Sequence, residues 1–164
     1  MYLKKIMAAT FAATALAGQA QEKTFSIIPE PVEITVTGQG EYLIQRNTVI
    51  RMSELTLALS ATYLADYMER YLGIPLQVDL PKSGKSRKKL SSAVETILSK
   101  PSDQPCIILK NQKNGEIPGG YQLEITPVGG VRIEGNDEAG VFYGVQTLIQ
   151  LLPTRAGVLP ILPT

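Results

Sequence analysis

The sequence predicts an α/β fold of the two-layer α+β kind, with helices laid on a sheet. Three observations predict it. Two segments carry apolar residues at helical spacing along one side only, several short runs alternate apolar and polar residues, and a Pro-Val-Gly-Gly turn separates two of those runs at hairpin spacing. One-faced helices must cover something apolar, and a sheet built from these strands supplies that surface.

The N-terminus is not counted toward the fold. Lys4 and Lys5 precede an apolar run from Ile6 to Ala17, with small residues at Gly18 and Ala20, the order of a secretory signal peptide. Residues 1–20 are therefore expected to be removed, leaving residues 21–164 as one domain of ordinary size. The apolar run is shorter than the roughly 18 residues that a spanning helix needs. A lipoprotein signal would place a cysteine at the cleavage point, and the sole cysteine is Cys106. The expectation is an exported protein, periplasmic or extracellular, with no membrane insertion. Removing the two lysines takes the formal charge from +1 to −1, which gives no long-range steering toward nucleic acid.

After the signal, FSIIPEPVEITVTGQGEYLI alternates on both sides of Gly38-Gln39-Gly40 and predicts two strands joined by that turn, with Pro29 and Pro31 keeping the start extended. TVIRM follows as a further strand. Ser53 then stands where an N-cap belongs, with Glu54 in the first helical turn. Leu57, Ala61, Leu64, Ala65, Met68, Tyr71 and Leu72 recur at helical spacing, while Glu54, Ser60, Asp66, Glu69 and Arg70 fall on other faces. Gly73 ends this first helix and Pro75 prevents its continuation.

Between Asp79 and Pro105 the composition changes to Ser, Pro and Lys, and residues 79–105 read as an exposed insertion. Leu90, Val94, Ile97 and Leu98 would line one side of a short helix within it. Five basic residues crowd Lys82 to Lys89, but without interleaved aromatics they read as a solvated loop rather than a polyanion site. CIILK, from Cys106, is a buried strand with the cysteine as a small hydrophobe. A polar turn over Asn111–Glu116 leads to the alternating Tyr121, Leu123 and Ile125, and Val131 and Ile133 continue across Pro127-Val128-Gly129-Gly130 as an antiparallel hairpin. The second helix starts near Asp137, carries Val141, Phe142, Val145, Leu148, Ile149 and Leu152 on its apolar side, and stops at Pro153.

The chemistry is bounded by what is missing. The sequence has no histidine, which removes the commonest general base, Ser-His and Cys-His pairs, and most zinc sites. No cofactor, metal site or catalytic residue is expected. It also has no tryptophan, which weakens the case for a dedicated sugar platform. The adjacent acids Asp137 and Glu138 invite comparison with glycosidase carboxylates. They stand, however, where a strand hands over to a helix, and there an acid caps amide donors and meets the positive end of the helix dipole. That environment lowers a carboxyl pKa, whereas a general acid needs it raised. Gly135, Gly140 and Gly144 lack the spacing of a phosphate loop; Gly140 and Gly144 fit a close helix approach instead. Tyr63, Tyr67 and Tyr71 repeat every four residues and read as core or domain-interface packing before a stacking ladder for sugars.

IIPEPVEITVTGQGEYLI and GYQLEITPVGGVRIEGNDEAGVFYGVQTLIQLLP together resemble the N-terminal, non-catalytic domain of bacterial β-N-acetylhexosaminidases, glycoside hydrolase family 20. The second stretch is the more specific. The resemblance covers residues 26 to 164 apart from Lys82 to Pro105. It implies a mainly antiparallel β-sheet with two helices packed on one face, beside a (β/α)₈ barrel that holds the catalytic Asp-Glu pair and the glycan substrate. A barrel takes about 250 residues, more than the 164 of this chain, so the resemblance carries no catalytic residue onto it, and the chain is expected to be inactive alone. Two rivals stand beside that reading: a free-standing exported glycan-binding or interaction module, and a small hydrolase using Asp137 and Glu138. An exposed apolar patch would favour a docked barrel; a polar groove lined with aromatics would favour the module.

Overall fold

The computed structural model describes residues 26–35, 40–81, 105–113, 117–154 and 161–163. The expected signal peptide, the Lys82–Lys89 run and the expected short helix through Leu90–Leu98 lie outside them. Seven strands and two helices follow in chain order among the described residues: β1 Glu41–Leu43, β2 Val49–Met52, α1 Ala58–Tyr67, β3 Gln77–Asp79, β4 Cys106–Asn111, β5 Tyr121–Thr126, β6 Gly130–Gly135, α2 Glu138–Leu151 and β7 Ile161–Pro163. A 3₁₀ turn at Leu55–Leu57 precedes α1, and a π turn at Met68–Leu72 extends it.

The main sheet runs β3-β2-β4-β6-β5, and β1 pairs with β7 in a separate ribbon. Two layers are present as expected, but the sheet is mixed rather than mainly antiparallel. β2 runs parallel to both β3 and β4, and β4 parallel to β6; only the β5–β6 hairpin is antiparallel within this sheet. The physical reason is connectivity. α1 carries the chain back along the sheet between β2 and β3, so the next strand starts from the same end. Only the hairpin shows its partner locally in sequence; parallel partners are separated by whole elements.

Further differences lie in the first half of the chain. Residues 26–35 form no strand, and β1 takes β7 as its partner, with Tyr42 opposite Leu162. Gly38 and Gln39 of the expected hairpin turn lie outside the described residues. Ser53 does not cap α1: its Oγ accepts the Asn111 N–H at 3.3 Å. Glu54 accepts from the Asn111 side-chain amide at 2.7 Å and pairs with Lys113, so both residues tie the α1 approach to the end of β4. β3 was not anticipated, and its last residue, Asp79, was assigned to the insertion; a three-residue strand gives too little alternation to read.

The apolar periodicities meet in one core. Ala61 and Leu64 from α1, Leu57 and Met68 from the turns flanking it, and Val141, Val145 and Leu148 from α2 are fully buried against Ile50, Ile107, Leu109, Val131 and Ile133. Ser60, expected on another face, is buried with them. Burying side chains of this size contributes about 1.5–3 kcal/mol each before conformational entropy is subtracted. The π turn ends at Gly73, whose left-handed φ of 69° is a conformation glycine adopts without a Cβ clash. β4 is central and buried on both sides: Ile107 and Leu109 face the helices, Cys106 and Ile108 the other way. Its continuous apolar run is the signature of such a strand.

Candidate functional site

Three places carry exposed or charged side chains that chemistry or a partner could use: the acid pair, the outer face of the sheet and the outer face of the helix layer. Asp137 is the N-cap of α2. Its Oδ1 accepts the Gly140 N–H at 2.7 Å and its Oδ2 accepts the Gly119 N–H at 2.9 Å. These two amide donors hold its carboxyl below the usual range, against a smaller opposing effect of burial. Beside it, the Asn136 side chain donates to the Ile117 carbonyl at 2.9 Å and the Asn136 N–H to the Gly120 carbonyl at 2.8 Å. Glu138 is exposed in the first turn of α2. The pair is thus divided: one acid fastens the 117–120 loop to the helix start, and the other faces solvent.

Gly140 and Gly144 occupy the contact between α2 and the sheet. A Cβ at Gly140 would collide with the Gly120 carbonyl, and one at Gly144 with the Ile133 side chain and the Tyr121 ring. The close-approach reading therefore holds at both positions. Tyr121 is fixed beneath the helix by a 2.5 Å hydrogen bond with the buried Thr147 hydroxyl. Cys106 is buried as a small hydrophobe, with no disulfide partner.

On the outer face of the sheet, Gln122, Glu124, Arg132 and Glu134 line a shallow cleft of about 310 Å³. Glu134 is its most engaged group, with Gln112 Nε2 at 2.5 Å, Arg132 Nη1 at 3.3 Å and Lys110 Nζ at 3.5 Å. Burial alone would raise its carboxyl pKa; the hydrogen bonds and the two cations outweigh burial and lower it. The cleft lining contains no aromatic ring.

The helix layer presents the opposite chemistry on its far side. Leu59 is 77% exposed, Tyr63 41%, Tyr71 59% and Tyr143 51%. The Tyr63 ring meets Phe142 at 5.5 Å between centroids, Phe142 meets Tyr143 at 6.5 Å, and Tyr67 meets Tyr71 at 4.7 Å. Of the two readings for the tyrosine repeat, the exposure of Tyr63 and Tyr71 rules out core packing for those two. Tyr71 and Phe142, assigned to the apolar sides of their helices, are respectively exposed and half-buried. Sequence reasoning did not single out Leu59 and Tyr143. Leu59 stands four residues before Tyr63, so an apolar stripe opposite the Leu57-Ala61-Leu64-Met68 side was its available signal.

Among the described residues, no helix is long and apolar enough to cross a membrane, and no three His, Cys, Asp or Glu side chains group as metal ligands would.

Comparison with known proteins agrees with the fold. The family described as glycosyl hydrolase family 20, domain 2, matches residues 24–162. A β-hexosaminidase of Porphyromonas gingivalis is 28% identical over 134 residues, covering 82% of this chain and 15% of the relative. The solved N-acetyl-β-hexosaminidase of Streptomyces plicatus, in complex with Thio-NAglucal, superposes with a TM-score of 0.53 at 29% identity, over 77% of this chain and 22% of that one. A Flavobacterium johnsoniae chitobiase shares the fold with a TM-score of 0.60 at 20% identity, over 89% and 21% of the two chains. This chain therefore spans a small fraction of the length of such relatives, and by the extent of the family match it belongs to glycosyl hydrolase family 20, domain 2.

Proposed function

We propose that this chain is the N-terminal accessory domain of an exported β-N-acetylhexosaminidase, whose role is to support a catalytic (β/α)₈ barrel following in the same polypeptide. The whole enzyme would remove terminal N-acetylhexosamine residues from glycans. One observation carries the reading: the exposed Leu59, Tyr63, Tyr71 and Tyr143 on the far side of the helix layer. Exposed apolar and aromatic side chains on the helix layer suit a covering partner. A barrel in the same chain fits as that partner, because the similar proteins are several times longer than this chain. A free-standing glycan module would want aromatics lining a polar groove, whereas the cleft of this domain has none.

The test is release of an aryl alcohol from an aryl N-acetyl-β-glucosaminide. The 164-residue chain and its Glu138→Gln variant are expected to be inactive. A polypeptide extended through the following coding sequence by about 250 residues is expected to turn over substrate. Activity in the short chain that disappears with Glu138→Gln would overturn the proposal in favour of a small hydrolase.

A further inference from the structure

We infer that β7 is a fixed outlet rather than a flexible tether, so that its pairing with β1 sets the direction in which a following domain leaves. The inference rests on the proposal that a barrel follows. Three observations support the pinning. Ile161–Pro163 pairs in antiparallel register with Glu41–Leu43. Leu162 is fully buried and belongs to the same core as Tyr42, Ile44 and Val131, not to a satellite cluster. Tyr42, opposite Leu162, is itself buried beside the start of β6, where a Cβ on Gly130 would lie 3.3 Å from its hydroxyl oxygen.

The beginning of the domain is held by a second clamp. Gln150, near the end of α2, accepts the Ile28 N–H through Oε1 at 2.8 Å and donates through Nε2 to the Ile28 carbonyl at 2.9 Å. A tether would leave its side chains in solvent and its amides unpaired. β7 is instead paired with β1 and holds Leu162 in the core, and a domain attached directly after it inherits the orientation of that strand.

Hydrogen exchange and small-angle scattering of the full encoded polypeptide test this. The amides of Leu162 and Tyr42 should exchange slowly, and Leu162→Ala should speed them on the order of tenfold, since exchange tracks local opening. A disulfide between Leu43→Cys and Ile161→Cys, which are register partners, should leave the scattering curve unchanged, because it joins segments already in place. It should also restore slow exchange in Leu162→Ala. If the wild-type amides exchange at the rate of an open chain, or the crosslink reduces the radius of gyration, the outlet is a tether and the inference falls. The crosslink arm decides the matter even if Leu162→Ala unfolds the domain. If the polypeptide encodes no barrel, the functional proposal fails, while exchange at Leu162 still reports separately on the pinning.

Discussion

The two outer faces of this domain solve the problem of exposure in opposite ways. On the sheet side, Glu134 gathers Lys110, Arg132 and Gln112, so its carboxylate is satisfied by polar neighbours within the face. On the helix side, Leu59, Tyr63, Tyr71 and Tyr143 stand exposed, with Tyr63 and Tyr143 against Phe142 and Tyr71 against Tyr67. The difference teaches where to look for a partner: a face whose groups satisfy each other gains little by being covered, whereas an apolar one gains about 25 cal/mol for each Å² removed from water.

The comparison breaks most severely at the seam between the layers. Gly140→Val drives a side chain into the Gly120 carbonyl and should lower stability by about 3 kcal/mol or prevent folding; urea unfolding followed by circular dichroism measures it. Next comes the cap. Asp137→Ala removes both the Gly140 and Gly119 contacts and should lower the melting temperature by roughly 3–6 °C. Asp137→Asn, which keeps an acceptor for only one of those amides, should cost less.

The same residue predicts a pH dependence. Its folded pKa is depressed, so its contribution is fully present above the unfolded pKa of about 3.9 and is lost as pH falls through the lower folded pKa. Glu134, also depressed, acts in the same direction. Melting curves collected from neutral to acid pH should fall below about pH 4, and less steeply in Asp137→Asn.

The faces themselves should give the smallest effects. Glu134→Gln should cost about 0.5–1 kcal/mol, reduced by added salt, as expected for partly exposed ion pairs. Leu59→Ser and Tyr71→Ser should each leave the isolated domain within about 0.5 kcal/mol of wild type while reducing its self-association in sedimentation. A large loss of stability on the helix side would mean those residues belong to the domain's own core, and the contrast between the faces would disappear.

Much of this was legible in the sequence, for a physical reason that also explains the gaps. The β5–β6 hairpin, α2 with its Asp137 cap, and the Gly73 stop are specified by residues adjacent in the chain, where turn chemistry and helical period act directly. The parallel pairings of β2, β4 and β6 depend on which distant strands share a core, and period-two alternation is silent on direction. Ser53 shows the same limit: its position before a helix resembles a cap, yet an amide 58 residues away takes its hydroxyl. At the candidate site, the acid pair's structural role could be read from its place at a helix start. The exposed stripe could not, because Tyr63 and Tyr71 have the same spacing whether they face a core or solvent.

The β1–β7 ribbon has a consequence for synthesis. Tyr42 finds its partner only when Leu162 arrives, so almost the entire domain must be translated before its first strand can pair. The helices and the β5–β6 hairpin can assemble earlier from nearby segments, leaving Tyr42 and Ile44 as late additions to a core already forming around Ile133 and Val145. Domains generally fold as units during translation; in this one, the last strand made closes the unit that the first strand began.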